Sequence, residues 1–375
     1  MKMNETENIT NEAVTKRRPV FRNGKFEIEL ATGETFSLYP GINAAGVDFT
    51  GCDLTMMKLN DSNFNGANFT DSCLDSTDFT NCQMNGAIFD NADLTMTIFW
   101  GAKLVGASFR GAPVEACGWG TRFDYADISF AHFTRGLPQA VLQHATAIST
   151  YFHETDFTDC NFYMANLTGA TLDQPHFYRV NLIQVDLTGA TIRKGYFDLM
   201  NMENAILYGT TFEDCAGDNS DESCNVNMAN VNAQFARFIR CSLPGLHAPE
   251  INLADAYFEL SQFFQSNFYS ACFARMIAIS TGFNECDVRY ANFAQAEVVL
   301  SRFRMLQAAY AKASNTMFTD CFFQDSDLKD ARLQDTQFVN CQFSQETSWP
   351  DDYLIPLPLS AAEEIPADIR ELDEE

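Results

Sequence analysis

The chain has 375 residues, 46% of them apolar, and a net charge of −26 from 50 acidic and 24 basic side chains. Nucleic-acid affinity comes mostly from phosphate neutralisation by Lys and Arg, so this balance argues against a direct nucleic-acid binder and leaves acidic or basic partners open. The first ten residues, MKMNETENIT, lack an apolar core and no run of eighteen apolar residues occurs. Neither a Sec signal nor a membrane span is expected, and a reducing cytoplasm is the default compartment, with secretion that needs no Sec signal left open.

Residues 1–24 read as a disordered N-terminal tail, in which Lys16-Arg17-Arg18-Pro19 is a small basic spot. In 25–46, the run KFEIELATGETFSLY alternates apolar and polar residues on both sides of Ala31-Thr32-Gly33-Glu34, the pattern of a hairpin. That hairpin is the expected N-terminal cap of the long repetitive region that begins at Val47.

From Val47 to Trp119 a large apolar residue returns at every fifth position, beginning Phe49, Leu54, Leu59, Phe64 and Phe69 and ending Val114 and Trp119. Two residues before each stands a mostly small one, such as Cys52, Ser62, Ala67, Ala92 or Cys117. A period of five belongs to neither helix nor strand, so each pentamer is a unit of its own. Short fixed repeats of this kind mean a solenoid, with a bulky and a small column facing inward. After Trp119 the register slips by one residue to Phe123, Ile128 and Phe133, and a loop is expected over 134–149. The ladder resumes from Phe152 to Phe212 and breaks at 213–225, EDCAGDNSDESCN, whose composition is that of an exposed loop. A last ladder runs from Met228 to Phe343, with Ala233, Ala248, Ala278, Ala308 and Ala313 as undersized members expected to thin the core. Residues 344–375 read as a C-terminal cap, built on Trp349 and Tyr353, with an acidic tail. The pentamers add up to about fourteen coils, a rod of roughly 65 Å at the inter-strand spacing.

Ala67-Asn68-Phe69, Ala92-Asp93-Leu94, Ala165-Asn166-Leu167 and Ala291-Asn292-Phe293 resemble the A(D/N)LXX repeat of the pentapeptide-repeat family. The resemblance covers 47–343 and implies an all-β fold, a right-handed quadrilateral β-helix with four pentamers per coil. Some family members carry an appended ubiquitin-ligase domain, but only about thirty residues follow the repeats here, so that activity is not carried over.

No catalytic signature stands in the sequence: GxSxG, HExxH, CxxC and GxxxxGK[ST] are all missing, and His132, His144, His153, His176 and His247 are scattered. No enzyme, cofactor or metal is expected. The acidic loop Asp214 to Glu222 lacks the ligand spacing of a calcium loop. Eight of twelve cysteines fall in the small column, where a thiol acts as a small hydrophobe, whereas Cys224 is expected to be accessible and to pair with Cys215 in an oxidising setting.

Charge is uneven. Residues 47–133 hold eleven acids and four bases, 134–225 twelve and four, and 226–343 eleven and nine. Nine aspartates, Asp48, Asp53, Asp78, Asp93, Asp127, Asp156, Asp186, Asp287 and Asp327, precede a core residue, where backbone hydrogen bonding accounts for the choice. Three functions are compatible with the pattern. The first is a non-catalytic protein–protein interaction rod or scaffold. The second, which the resemblance brings, is a DNA-mimicking inhibitor or protector of a type II topoisomerase such as DNA gyrase. The third is an effector or adaptor of a bacterial secretion system. Candidate contact residues are the aromatics beside the core column, Trp100, Tyr163, Tyr178, Tyr208, Phe264 and Tyr269, and the carboxylates outside the consensus position, Asp61, Asp71, Asp75, Asp90, Asp218, Asp221 and Glu222.

Overall fold

A computed structural model describes residues 16–22, 24–110, 121–134, 137–217 and 224–354. Its backbone follows from one local choice repeated along the chain. At Ala44-Ala45-Gly46-Val47, the Val47 amide donates to the Ala44 carbonyl at 3.2 Å, and Gly46 takes φ 68°. A four-residue reversal with positive φ only at its third residue is a type II turn, which favours Gly or Asn there. The equivalent positions Gly51, Asp61, Gly66, Asp71 and Asn81 all lie between 56° and 65°.

Four such corners close one coil. Asn43 bridges Asn63, Asn63 bridges Gln83 and Gln83 bridges Lys103, all in parallel, and fourteen bridges carry this one ladder on to Arg332. The fold is therefore a four-sided β-helix, and no helix occurs among the described residues. The nine consensus aspartates all accept the amide N–H two residues further on, as Thr50 donates to Asp48 Oδ1 at 3.0 Å. Their identity is set by the corner they stabilise.

Inside, both columns are buried except near the ends, where Val47, Thr336, Phe338 and Phe343 are half-buried. Phe49, Phe69, Phe89, Phe109, Phe133 and Phe152 stack with ring centroids 4.5–5.1 Å apart, because coils in register deliver one ring per backbone spacing. The small column holds more than filler. Thr77 Oγ1 donates to the Leu54 carbonyl at 2.8 Å, Thr97 Oγ1 to Leu74 at 2.9 Å and Cys82 Sγ to Leu59 at 3.1 Å. With Ser326 Oγ donating to the Phe303 carbonyl at 2.6 Å, Thr, Cys and Ser can each tie a coil to the carbonyl of the coil before it.

Several expectations are corrected. Within the segment read as a disordered tail, 16–22 is placed: the Arg17 carbonyl accepts from the Asp53 amide at 2.7 Å, Arg17 bridges Cys52 in parallel, and Arg18 pairs with Asp53 at 2.6 Å. The basic spot is an extra rung on the first coil, paired to an acidic corner. β1 (Val20–Arg22) then joins β2 (Lys25–Glu29) and β3 (Thr35–Leu38) in a three-stranded antiparallel sheet, one strand more than a hairpin. Ile28 and Leu38 are buried and Phe36 meets Phe49 at 5.7 Å, so this sheet covers the open end of the core. Coiling begins by Gly41, whose amide donates to the Asn60 carbonyl at 2.9 Å, earlier than residue 47.

Over 137–149, within the loop expected at 134–149, the chain continues the coils instead. Leu137, Leu142 and Ala147 are buried, and Val141 and Thr146 bridge Asn161 and Asn166. Leu137-Pro138-Gln139-Ala140 is a type II corner, with Gln139 at φ 59° and Pro in the position that such turns favour. The slip after Trp119 is a longer coil, since Ile98 bridges Arg122 and Lys103 bridges Asp127. Val114, Cys117 and Trp119 lie outside the described residues. The break at 213–225 also narrows: Thr211–Glu213 and Ala216–Gly217 are strands in register with their neighbours. A Cβ on Gly217 would meet the Cβ of Cys224 at 2.2 Å, so Cys224 fills the core space that Gly217 leaves. Cys224 is therefore buried, not accessible, and Cys215 and Cys224 are both free thiols, Cys215 Sγ donating to the Ile192 carbonyl of the coil before it at 3.4 Å.

Candidate interaction surface

At most corners the two residues after a core position reach the surface, Asp124 and Asp198 being buried exceptions, so residues one coil apart can stack along the outside of the rod as the core rings do within it. The corner that follows Leu59, Phe79 and Phe99 gathers three of the six candidate aromatics. Ile98, Arg122, Val141 and Asn161 form one bridge ladder, which places Trp100, Tyr125, His144 and Tyr163 above one another. Trp100 and Tyr125 lie 5.2 Å apart, Tyr125 and His144 stack at 4.8 Å, and His144 meets Tyr163 edge-on at 5.8 Å. Further along, Tyr269 and Tyr290 lie 5.3 Å apart and Tyr290 stacks on Tyr310 at 5.0 Å.

Arginines close both runs. The Arg122 guanidinium lies 5.2 Å over Trp100 and pairs with Asp124 at 3.1 Å, while Arg289 lies 5.8 Å over Tyr269 and pairs with Asp287 at 2.7 Å. These contacts hold the rings in place while leaving Trp100 39%, Tyr125 51% and Tyr290 48% exposed. Tyr125, His144, Tyr290 and Tyr310 are additions to the sequence candidates. They stand at the second corner position or on a coil assigned to a loop, and only the 20-residue coil reveals that they share an edge with Trp100.

The other candidates are dispersed. Tyr178, under Arg179 at 4.6 Å, and Phe264 lie on a different corner, and Tyr208, 5.3 Å from Phe235, on a third. Asp61 begins the aromatic corner, Asp75 shares the corner of Tyr178, and Asp71 and Asp90 share a fourth corner. Asp61 and Asp71 occupy the left-handed turn position, at φ 59° and 56°, so the backbone already favours a short polar residue there. Asp90 accepts the Arg110 amide at 3.1 Å, and Asp75 accepts Ser76 Oγ at 2.8 Å. Asp218, Asp221 and Glu222 lie outside the described residues.

Several later acids are bound by arginine. Hydrogen bonds from Arg179, Arg240 and Arg275 hold the carboxyls of Asp159, Asp214 and Asp255 below the usual carboxylate range. The first coils differ: from Asp48 to Asp93 there are eight carboxylates and one base, Lys58. Among the described residues their one ion pair is that of Arg18 with Asp53.

The chemistry offered by the remaining polar groups is limited. Burial pushes the Cys82 thiol up to about 12 and Cys224 to about 11, which leaves almost no thiolate at neutral pH. His153 Nδ1 lies 2.9 Å from Asp173, His176 Nδ1 3.4 Å from Asp156 and His247 Nδ1 3.5 Å from Asn267 Nδ2, each pair joining neighbouring coils on the surface. Among the described residues no three His, Cys, Asp or Glu side chains cluster to hold a metal, and no helix is long and apolar enough to cross a membrane.

The family model for pentapeptide repeats matches the chain in eight copies, over residues 45–81, 72–111, 139–174 and 310–345. No curated protein matches. Among solved structures, HetL of the cyanobacterium Nostoc sp., involved in heterocyst differentiation regulation, is 14% identical, with 84% of this chain and 92% of HetL covered and a TM-score of 0.22. QnrB1, a plasmid-mediated fluoroquinolone resistance protein, is 15% identical, over 57% of this chain and 92% of its own, with a TM-score of 0.24. Rfr23 of the cyanobacterium Cyanothece is 14% identical, over 40% and 90%, with a TM-score of 0.17. These are likenesses of repeat architecture and say nothing of a partner. With the five-residue period, the four-cornered coil and the matching repeats in hand, the chain carries pentapeptide repeats over 45–111, 139–174 and 310–345, folded as a four-sided β-helix.

Proposed function

We infer that the protein works without catalysis, as a rod with an acidic surface that binds another protein, and that the aromatic corner is its contact surface. The observation that carries this reading is the stack Trp100, Tyr125, His144 and Tyr163 along one edge. Rings held by their neighbours and by Arg122 offer large amphipathic contact area with little conformational entropy left to lose, which is what binding surfaces select in Tyr and Trp. A photo-crosslinking residue at position 125 should capture a partner from the native cell that the same residue at position 91, on another corner, does not. Tyr125→Ala with Trp100→Ala should weaken that complex at least tenfold without changing the melting temperature by more than a few degrees. Equal capture from both positions would remove the corner as the contact surface.

A second reading, a DNA mimic directed at a type II topoisomerase, is favoured by the sparsely paired carboxylates between Asp48 and Asp93. It predicts competition with duplex DNA that weakens steeply with salt as the Debye length falls below about 10 Å. Asp75→Lys and Asp90→Lys, combined with Asp61→Asn and Asp71→Asn to keep the left-handed turns, should abolish competition and leave the fold intact. Wild-type protein that leaves supercoiling untouched at micromolar concentration would eliminate this reading.

A further inference from the structure

The N-terminal sheet is wider than the coil that it covers. In register, Phe21 faces Phe26 and Phe26 faces Leu38, so these three side chains lie on the same side of the sheet as the buried Ile28. Leu38 and Ile28 are sealed against the core, whereas Phe21 and Phe26 overhang it, 63% and 42% exposed, with their rings 5.1 Å apart at 61°. Val20 on the same edge strand is 47% exposed. The chain from Lys16 to Phe26 contains five basic residues, Lys16, Arg17, Arg18, Arg22 and Lys25, and no acid. On a protein of net charge −26 this end is a basic, aromatic island.

The opposite end has the complementary chemistry. After Tyr353, which stacks on Trp349 over the last coil, comes Leu354-Ile355-Pro356-Leu357-Pro358-Leu359, and residues 351–375 hold nine acids against Arg370. Leu354 is 93% exposed. Alternating prolines cannot donate to a strand ladder and preset an extended polyproline geometry, a form that docks on aromatic side chains. The run cannot reach the sheet of its own chain. It lies within five residues of Leu354, a reach of about 17 Å at full extension, while the coils between the two ends span roughly 65 Å.

We propose that the overhanging Phe21 and Phe26 bind the Leu354 to Leu359 segment of a second copy, so that the protein associates head to tail. The acidic residues beyond Leu359 then meet Arg22 and Lys25. Such a contact is heterologous: each copy keeps a free head and a free tail, and assembly is open-ended rather than a closed dimer. It uses neither the aromatic corner nor the acidic first coils, so it stands apart from the function proposed above.

Sedimentation velocity tests it on the full chain. Wild-type protein should grow beyond dimers as concentration rises from micromolar to hundreds of micromolar, and should return to monomers as salt rises from 0.05 to 0.5 M. Phe21→Glu with Phe26→Glu spoils the head, and Leu357→Ser with Leu359→Ser spoils the tail. Phe21 and Phe26 are exposed, Leu357 and Leu359 lie outside the described residues, and circular dichroism checks that the fold is kept. Each variant alone should stay monomeric, and mixed together they should form a one-to-one complex, because one retains the tail and the other the head. A wild-type monomer at all concentrations, or a mixture that fails to associate, overturns the proposal. So does a dimer that persists in the tail variant, which would mean that the exposed sheets pair with each other.

Discussion

Two regions of the rod solve the same packing problem in different ways. Between Phe49 and Phe152 one side of the core is six stacked rings with no gap. Between Phe293 and Phe338 the core turns to Ala308, Ala311, Ala313 and Ala331, and these residues line a cavity of about 30 Å³. The backbone does not register the difference: Gln307 bridges Asp327 and Lys312 bridges Arg332 as regularly as earlier coils do. The coil is thus set by corners and ladder hydrogen bonds, and the side chains decide how firmly each stretch is held. In a solenoid each coil touches only its neighbours, so that firmness is local.

The largest expected effect separates the two regions directly. Phe89→Ala removes a ring stacked on Phe69 and Phe109 and should cost about 3–5 kcal/mol. Leu333→Ala removes a side chain that already borders the cavity, is 8% exposed, and should cost about 2 kcal/mol. Because a rod opens locally, the readout is amide hydrogen exchange in the flanking coils, whose protection should fall by two or more orders of magnitude for Phe89→Ala. Comparable losses at the two sites would mean that ring stacking adds nothing to coil stability.

The converse experiment adds volume. Ala308→Val places two methyl groups where space exists and should stabilise by about 0.5–1 kcal/mol. Ala102→Val, at a fully buried position between tightly stacked coils, should instead destabilise by about 1–3 kcal/mol. Thermal unfolding of the pair decides, and a gain at position 102 would show that the first region is not close-packed.

Much of this contrast was legible in the residues themselves, since a five-residue period with Phe in one column and Ala in another is a direct image of the core. The undersized Ala308 and Ala313 mark the thin place by their own volume. What the pattern concealed has local causes. Leu137, Leu142 and Ala147 hid because the coil after the longer one is a residue short, Arg122 bridging Val141 and Asp127 bridging Thr146, and because Ala147 is not bulky, although Pro138 marked the corner. Phe21 and Phe26 hid because a short polar tail gives no sign that Arg17 will add a rung to the first coil. The aromatic corner needed two offsets at once, since Trp100 follows its core residue by one position and Tyr125 by two. Cys224 hid because its partner is the missing side chain of Gly217, which no spacing rule records.

The smallest expected effect concerns acid, and it again divides the rod. Asp48, in the first coil, has its carboxyl lowered by hydrogen bonds from the Thr50 hydroxyl and amide. In the later part of the rod, Asp159, Asp214 and Asp255 are lowered chiefly by hydrogen bonds from Arg179, Arg240 and Arg275. A carboxyl whose folded value is depressed contributes stability above its unfolded value, near 3.9, and loses it as pH falls through the folded value. Protection should therefore be flat in pH between about 5 and 8 as far as these groups decide it, and should decline in both regions below about pH 4. Salt separates the causes, because the exposed arginine pairs are screened and the Thr50 bonds are neutral donors. At 0.5 M salt the acid sensitivity of the coils around Asp159 and Asp255 should shrink, while that of the coil containing Asp48 stays. Arg275→Gln should reproduce the salt effect at Asp255 alone, and Thr50→Val should reduce the acid sensitivity at Asp48 alone. If salt flattened the response equally in both regions, long-range charge across the acidic surface would be governing it, and the assignment to these local bonds would fall.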